Sequence, residues 1–405
     1  MILSGNLCSY AQRLGFNPPA GEGLGEYLRS RENRSLYRYR LTLESPQAPR
    51  VTVNGHEYLA FCSNDYLGLA NHPELIAAIC EGAAQYGVGA GASHLVSGHS
   101  RAHHLLEEAL ASFTRHPRAL LFSTGYMANA GVVTALTGRG DAIFADKLNH
   151  ASLNDAALLS HARLNRYPHL DLAVLERQLA ASQARRKLVV SDAVFSMDGD
   201  VVLLPKLLRL CERYDAWLLL DDAHGFGVLG DQGEGILAHF NIRSPRIIYM
   251  GTLGKAAGVF GAFVAAQGEI IEMLIQCARS YIYTTATPPF LSHALLKSLE
   301  LIAGGAWRRQ KLVRLIKLLK QECRSLPWKL LPSDTPIQPL VMGENARALQ
   351  VSEALRQKGI LVTAIRPPTV PEGTARLRIS LSSSHDIEDV VQLGAALREI
   401  GRDME

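Results

Sequence analysis

The sequence predicts an α/β protein built around a mostly parallel sheet that is buried on both faces. Short apolar runs such as ALLF (119–122), WLLL (217–220) and IIYM (247–250) recur along the chain, and stretches of helical periodicity separate them. Continuous apolar runs of this length are typical of strands that helices cover on both sides. Hydrophobic residues make up 47% of the 405 residues, which is enough for a large core.

The elements follow one another in a regular order. Residues 1–60 predict an arginine-rich helical arm and then two strands joined by a turn at VNGHEY (53–58). From residue 61 onward, strand-like runs alternate with helical segments. After about residue 290 the helices lengthen, and two strand-like pieces, ILVTAIR (360–366) and ARLRISL (375–381), indicate a second, smaller α/β domain. We therefore predict three segments: an arm at 1–60, a large domain at 61–290 and a small domain at 291–405.

Composition narrows the classes of protein to consider. A net charge of +4 is too small to call for a nucleic-acid partner. The amino terminus lacks the pattern of a signal peptide, and the uncharged run after Lys255 is shorter than the roughly 20 residues that cross a bilayer. The six cysteines form no C-x-x-C pair, which predicts reduced thiols in a cytoplasmic protein. They are Cys8, Cys62, Cys80, Cys211, Cys277 and Cys323.

Polar residues follow five of the predicted strands. In an open α/β sheet, ligands bind at the carboxyl ends of the strands, so we expect these residues to converge on one edge. They are Gly125 and Tyr126, His150, Ser196, Asp221 and His224, and Thr252 and Lys255.

Lys255 lies among glycines and small apolar residues in GTLGKAAGVFGAF. A partly desolvated amine has a lowered pKa and can form a Schiff base or act as a general base. A lysine that extends from a loop to solvent is the plain alternative. Asp221 ends a buried strand, where a carboxylate needs a cation or hydrogen bonds, so it suits a protonated ring nitrogen. His224 could donate to a phenolic oxygen, although a structural Asp–His pair remains open.

The segment STGYMAN (123–129) presents free backbone N–H groups at the start of a helix. Such a terminus binds phosphate, and the hydroxyl of Thr252 suits the same group. A P-loop ATPase is excluded, because Tyr249 and Ala256 stand where that motif needs glycine and serine or threonine.

Three further groups of residues allow more than one interpretation. His94, His99, His103 and His104 invite a metal, with His99 and His103 spaced i, i+4 on a predicted helix. No H-E-x-x-H pattern accompanies them, so we predict surface or capping histidines and no metal. The arginines of residues 29–40 form either a solvated helix face or an anion contact. Arg378, which follows a proline-rich loop, is either a carboxylate ligand or a surface arginine.

Taken together, these motifs resemble the α-oxoamine synthases, pyridoxal-phosphate enzymes of the aminotransferase-like fold (fold type I). The resemblance covers nearly the whole chain. The segments DDAHGFGVLG (221–230) and GTLGKAAGVFGAF (251–263) specify the superfamily. The segments FSMDGD (195–200) and AIRPPTVP (364–371) favour the branch that condenses L-alanine with a pimeloyl thioester in biotin biosynthesis.

The resemblance implies a role for each candidate residue. Lys255 would carry the cofactor, and Asp221 would face the pyridine nitrogen. The ring's phenolic oxygen would be served by His224 and Ser196, and His150 would stack on the ring. The remaining implied contacts are Gly125, Tyr126 and Thr252 for the phosphate, Thr284 or Thr285 for the phosphate of a partner subunit, and Arg38, Thr369 and Arg378 for the substrates. The family shares each active site between two subunits, so a homodimer is expected.

The implied reaction joins L-alanine to pimeloyl-CoA or pimeloyl-acyl-carrier protein with loss of carbon dioxide, and the residues leave the choice of thioester open. Two other functions remain to be separated from it. One is a related α-oxoamine synthase that uses glycine or serine with another acyl-CoA. The other is a catalytically silent binding protein on the same fold.

Overall fold

The computed structural model describes residue 21 and residues 23–404, and within them the chain divides into two compact units. The central unit comprises Asp65–Ser196 and Asp200–Lys311. The terminal unit comprises the described residues up to Asn64, Met197–Gly199, and the residues from Leu312 onward. The expectations for Cys8 and for the amino-terminal sequence before residue 21 lie outside the described residues.

The secondary structure alternates strands and helices through most of the central unit. The strands are, in chain order, β1 (Arg50–Val53), β2 (His56–Ala60), β3 (Arg118–Phe122), β4 (Ala142–Asp146), β5 (Arg163–Tyr167), β6 (Lys187–Asp192), β7 (Trp217–Asp221), β8 (Ile247–Thr252), β9 (Ala262–Ala266), β10 (Lys329–Leu330), β11 (Ile337–Gly343), β12 (Ile360–Leu361), β13 (Thr363–Ile365) and β14 (Ala375–Ser380). The α-helices are α1 (Leu24–Asn33), α2 (Pro73–Tyr86), α3 (Arg101–Phe113), α4 (Gly125–Leu136), α5 (Ala151–Leu159), α6 (Leu172–Ala181), α7 (Leu204–Arg213), α8 (Ile236–His239), α9 (Gly268–Cys277), α10 (Arg279–Ile282), α11 (Pro289–Ala303), α12 (Ala306–Glu322), α13 (Asn345–Gln357) and α14 (Ile387–Asp403), and a π-helix spans His94–Gly98.

A seven-stranded sheet forms the centre of the central unit, in the order β3-β9-β8-β7-β6-β4-β5. Strand β9 runs antiparallel to β3 and β8, and the other neighbouring strands are parallel. The prediction of a mostly parallel sheet is therefore confirmed. The connection from Thr252 to Ala262 is too short for a crossover helix, so β9 returns antiparallel beside β8.

Five strands end at one edge of this sheet. Asp192 at the end of β6 is opposite Asp221 at the end of β7, and Asp221 is opposite Met250 in β8. On the other side, Ala262 is opposite both Phe122 and Thr252. Since β4 runs parallel to β6, the segments that follow β3, β4, β6, β7 and β8 all begin at this edge. The expected convergence of the strand ends is confirmed.

Helix α4 begins at this edge and packs against the sheet. Its residues Ala128, Val132 and Val133 are completely buried, as are Leu219 of β7 and Ile248 of β8 in the same apolar cluster. The i, i+4 spacing of Ala128 and Val132 places both on one face of the helix. This packing fixes the position of the first turn of α4, which carries Gly125 and Tyr126.

The terminal unit contains two smaller sheets, in the orders β1-β2-β12 and β10-β11-β14-β13. Strands β1 and β2 form the predicted hairpin, and its turn residues Asn54 and Gly55 both have positive φ, as a type I′ turn requires. Strand β2 also pairs in parallel with β12, far away in the sequence. Among the described residues, no helix is long and apolar enough to span a bilayer.

Candidate active site

Asp221 is the buried carboxylate of the sheet edge, with 4% of its surface exposed. Asn129 Nδ2 donates a hydrogen bond to Asp221 Oδ2 at 2.8 Å, and the backbone N–H of Ala223 donates to Oδ1 at 3.1 Å. Both donors are neutral. A buried carboxylate held by neutral donors is well suited to face a cationic group.

Asp192 lies beside Asp221 and is 3% exposed. Burial, followed by the negative charge of Asp221, raises the pKa of Asp192 well above its usual value. Two carboxylates this close do not both ionise easily, and the raised pKa favours the uncharged form of Asp192. Asp192 Oδ2 accepts a hydrogen bond from the backbone N–H of His150 at 2.6 Å.

His150 precedes the first residue of α5 and caps this helix. Its Nδ1 accepts from the backbone N–H of Ser152 at 3.3 Å and lies 2.8 Å from Ser152 Oγ. The residue is exposed, so the face of its ring is accessible to a planar ligand. The sequence predicted that His150 follows a strand. The structure adds that hydrogen bonds to Asp192 and Ser152 hold it there.

Lys255, Thr252 and Gly125 come together on neighbouring strand ends. Lys255 is half-buried, and its Nζ donates to Thr252 Oγ1 at 3.4 Å, while Thr252 Oγ1 donates to the carbonyl of Ala223 at 3.2 Å. A Cβ atom on Gly125 would lie 2.8 Å from Thr252 Cγ2, so the start of α4 approaches Thr252 too closely for a larger residue. The alternative of a lysine that simply extends to solvent does not fit this placement.

The first turn of α4 offers an anion site. Thr124 caps the helix by accepting from the backbone N–H of Met127 at 3.1 Å. The N–H groups of the first helical residues, here Gly125 and Tyr126, have no acceptor within the helix and carry the positive end of its dipole. The phenol of Tyr126 donates to the carboxylate of Asp155. These features suit a phosphate at the sheet edge.

His224 is buried and hydrogen-bonded through Nδ1 to the hydroxyl of Tyr66 at 2.7 Å. Tyr66 is completely buried and was not among the predicted site residues, although it lies in FCSNDYLGLANHPE (61–74), a segment that resembles the family. Ser196 follows β6 and is half-buried.

Thr284 and Thr285 lie on the segment after α10, outside the five strand ends. Thr285 forms an antiparallel bridge with Ser93, and the backbone N–H of Ala286 donates to the carbonyl of Ala92 at 2.9 Å. The two threonines are therefore attached to the glycine-rich segment that precedes α3.

In the terminal unit, two of the predicted substrate residues are brought together. Arg38 Nη2 donates to Thr369 Oγ1 at 3.4 Å. Arg366, which the sequence did not single out, donates to the carbonyls of Ser35 at 2.6 Å and Tyr37 at 3.1 Å. Desolvation and then the charge of Arg31 lower the pKa of Arg38, and desolvation followed by Arg38 and Arg31 lowers the pKa of Arg366. A cluster of guanidinium groups that repel one another is favourable for an anionic ligand.

Arg378 is only 6% exposed, so the alternative of a surface arginine is wrong. Its Nη1 donates to Ser380 Oγ at 2.7 Å and to Asn64 Oδ1 at 3.0 Å. Its neighbour on β14, Arg376, is paired instead with Asp198 at 2.5 Å.

The histidine cluster combines a helix cap with a pair of hydrogen-bonded rings. His103 Nδ1 accepts from the backbone N–H of Ser100 at 3.0 Å, and its Nε2 donates to the carbonyl of Thr287 at 2.8 Å. His103 therefore caps α3, as the capping interpretation predicted. His94 Nδ1 and His99 Nδ1 are 3.0 Å apart. The placement of His99 on the same helix as His103 was wrong, because α3 begins at Arg101, after the serine that caps it.

Comparisons with known proteins show which family the chain resembles. A family model described as aminotransferase class I and II matches residues 56–397. The chain is 90% identical over 384 residues to the 8-amino-7-oxononanoate synthase of Nitrosospira multiformis, covering 95% of this chain and 97% of the relative.

Two solved structures extend the comparison. An 8-amino-7-oxononanoate synthase from Francisella tularensis has a TM-score of 0.75 at 32% identity, with 86% of this chain and 99% of the other covered. A serine palmitoyltransferase from S. paucimobilis with bound pyridoxal phosphate and myriocin has a TM-score of 0.89 at 26% identity, with 94% and 97% covered. The expected aminotransferase-like fold is confirmed.

Proposed function

The chain belongs to the class I and II aminotransferase family, and we propose that it catalyses the reaction of the 8-amino-7-oxononanoate synthases. In this reaction L-alanine and a pimeloyl thioester give 8-amino-7-oxononanoate, carbon dioxide and the free thiol, a step of biotin biosynthesis. The 90% identity over 95% of the chain is the observation that carries this conclusion. The enzyme is an acyltransferase that depends on pyridoxal 5′-phosphate.

The residues of the sheet edge fit this cofactor. Asp221 is a buried carboxylate with two neutral donors, which suits a protonated ring nitrogen. The start of α4, where a Cβ on Gly125 would meet Thr252, suits the phosphate. When bound, pyridoxal phosphate supplies an aldehyde that condenses with amines and a ring that accepts the electron pair of the neighbouring carbon.

Side chains of the protein bind and orient the cofactor and the substrates, and they transfer protons. Lys255 would hold the cofactor through its amine, and its Nζ would take the proton from Cα of alanine, a contribution of roughly 10²–10⁴ in rate. Asp221 would keep the ring nitrogen protonated. His224, which is hydrogen-bonded to Tyr66, and Ser196 would donate to the phenolic oxygen. His150 would stack on the ring, and Gly125, Tyr126 and Thr252 would bind the phosphate.

In the terminal unit, we assign the substrate contacts to two places. Arg378 binds the carboxylate of alanine, because it is a buried guanidinium held in place by Ser380 and Asn64. Arg38 and Thr369 bind the acyl donor, and the surrounding arginines favour its anionic part, whether the thioester is formed with CoA or with an acidic carrier protein.

We further propose that the protein is a cytoplasmic homodimer with shared active sites. Several large apolar residues of the central unit are exposed, among them Val88 and Val96 at 78% each and Tyr283 at 72%. Tyr283 directly precedes Thr284 and Thr285, the residues assigned to the phosphate of the partner subunit. Exposed apolar residues beside a functional segment support a protein interface there.

The test is turnover by the purified, cofactor-loaded protein. L-Alanine, glycine and serine are each supplied with pimeloyl-CoA, pimeloyl-acyl-carrier protein and palmitoyl-CoA, and carbon dioxide and free thiol are measured. Alanine with a pimeloyl thioester is expected to react fastest. Faster reaction of glycine or serine would indicate a related synthase instead, and no release of carbon dioxide would indicate a silent binding protein.

A further inference from the structure

Two buried residues that the sequence did not single out, Asn129 and Ser152, connect Asp221 to His150. We propose that they form a positioning chain that keeps the Asp221 carboxylate charged and fixes the tautomer of the His150 ring. This inference rests on the proposed roles of Asp221 and His150 at the cofactor, and it assigns the residues that prepare both of them.

The first link is the amide of Asn129. Asn129 lies on α4 and is completely buried, and its Nδ2 is 2.8 Å from Asp221 Oδ2 and 2.9 Å from Ser152 Oγ. An ionised carboxylate only accepts hydrogen bonds, so the amide must direct its NH₂ group towards Asp221. One of the two N–H bonds then reaches Asp221, and the other reaches Ser152.

The second link is the hydroxyl of Ser152, which is 1% exposed. Because its oxygen accepts from Asn129, its own proton is available for His150 Nδ1 at 2.8 Å. The backbone N–H of Ser152 points at the same nitrogen at 3.3 Å. Nδ1 therefore accepts from two donors and carries no proton, so a neutral His150 holds its proton on Nε2.

The hydrogen bonds of the positioning chain therefore all run in one direction: Asn129 donates to Ser152, and Ser152 donates to His150. A hydrogen bond to the charged form of an acid favours that form, so Asn129 stabilises the Asp221 carboxylate. Without Asn129, this buried carboxylate would lose its side-chain amide donor and keep the backbone N–H of Ala223. The amide of Asn129 thereby supports both Asp221, which is assigned to the ring nitrogen, and His150, which is assigned to the ring face.

The first experiment uses the unmodified protein, without cofactor, labelled with ¹⁵N-histidine. The ring ¹⁵N resonances of His150 are assigned by their loss in His150→Gln. We expect an unprotonated Nδ1 and a protonated Nε2 at neutral pH. In Ser152→Ala, which removes the hydroxyl donor, the two resonances should move towards the average of both tautomers. A protonated Nδ1 in the unmodified protein would overturn the proposal.

The second experiment titrates the cofactor-free protein with pyridoxal 5′-phosphate and follows absorbance. Asn129→Leu has nearly the same shape as asparagine but no donor, and we expect the Kd to rise about tenfold or more, the size of a lost hydrogen bond to a charged group. Thr137→Val and Ser160→Ala are the controls, because each removes a buried side-chain hydrogen bond at the far end of α4 or α5. Both should leave the Kd unchanged.

The outcomes separate this inference from the proposed function. If Asp221→Asn leaves the Kd unchanged, the role assigned to Asp221 is wrong. If Asp221→Asn weakens binding but Asn129→Leu does not, only the positioning chain is refuted. An equal effect of Thr137→Val and Asn129→Leu would also refute it, since the cause would then be a loosened helix. If Asn129→Leu does not fold, the resonances of the unmodified protein still decide the tautomer.

Discussion

Asp192 and Asp221 lie opposite each other at the ends of β6 and β7, and they have different hydrogen-bond partners. Burial and the charge of Asp221 raise the pKa of Asp192, which accepts from the backbone N–H of His150 at 2.6 Å. Asp221 accepts from the side-chain amide of Asn129. The two adjacent carboxyl groups therefore contact different elements: Asp192 contacts the start of α5, and Asp221 contacts α4.

This difference predicts unequal effects of the same substitution. Asp192→Asn keeps a carbonyl oxygen for the N–H of His150, and the raised pKa of Asp192 already favours its uncharged form, so activity should stay within about threefold. Asp221→Asn removes the charge that holds the ring proton, and kcat should fall by about 10² or more. Steady-state kinetics of both variants checks this. Equal losses in the two would show that Asp192 is also needed as a carboxylate.

Lys255→Ala should abolish the visible absorbance of the cofactor-loaded protein and lower kcat by about 10³ or more, since it removes both the covalent attachment and the base. Lys206, an exposed lysine of α7, provides the matched control, and Lys206→Ala should keep both the spectrum and the activity. Borohydride reduction followed by peptide mapping should place the pyridoxyl label on Lys255. A label on another peptide would contradict the assignment.

Arg38→Ala should raise the KM for the acyl donor by about tenfold and leave the KM for alanine nearly unchanged. The reason is that Arg38 and Thr369 are joined within the arginine cluster assigned to the donor, whereas Arg378 is assigned to alanine. Arg34, an exposed arginine directly after α1, provides the control. Its replacement by alanine removes the same charge from the arm and should leave both KM values nearly unchanged. Equal increases in the two KM values would remove the donor role of Arg38.

The raised pKa of His169 should make the stability of the protein depend on pH. Its Nδ1 is 3.0 Å from Asp146 Oδ1, and its Nε2 is 2.7 Å from Asp200 Oδ2. Burial alone would lower the pKa of His169, but the hydrogen bonds to the two carboxylates and their charges raise it to about 10. The folded state therefore binds this proton more tightly than the unfolded chain does, where the pKa is about 6.5.

The stability that protonated His169 contributes is fully present below about pH 6.5 and is lost as the pH rises through about 10. We expect the Tm of the unmodified protein to exceed that of His169→Gln by about 2–4 °C at pH 6.5 and by progressively less up to pH 10.5. Thermal unfolding of both proteins across this range measures the difference, in which other titrating groups cancel. A difference that does not change with pH would refute the charged pairing.

A polar residue directly after an apolar run is a visible signal in the sequence. This signal predicted that Lys255, Asp221 and His150 lie at strand ends, and the structure places them there. Asn129 and Ser152 were not, since each lies within a helix of small residues, where neither composition nor periodicity indicates a buried polar partner. Nothing in the sequence shows that the hydroxyl of Tyr66 meets His224.

Pairings between distant segments were also beyond the sequence. Strand β2 joins β12 by hydrogen bonds such as that from the N–H of Phe61 to the carbonyl of Leu361 at 2.8 Å, and no local pattern specifies such a partner. The location of Arg366 beside Arg38 depends on the same kind of long-range packing. The apolar runs predicted which strands form, while their order in the sheets came from the structure.

The antiparallel return of β9 beside β8 has a consequence for the lysine between them. Both ends of the connecting loop are held in interior strands, and the N–H of Leu253 donates to the carbonyl of Gly261 at 2.8 Å to close it. The Cα of Lys255 is thereby anchored from both directions. We therefore expect Lys255 to bind and release the cofactor by rotation about its side-chain bonds, without rearrangement of the main chain at that point.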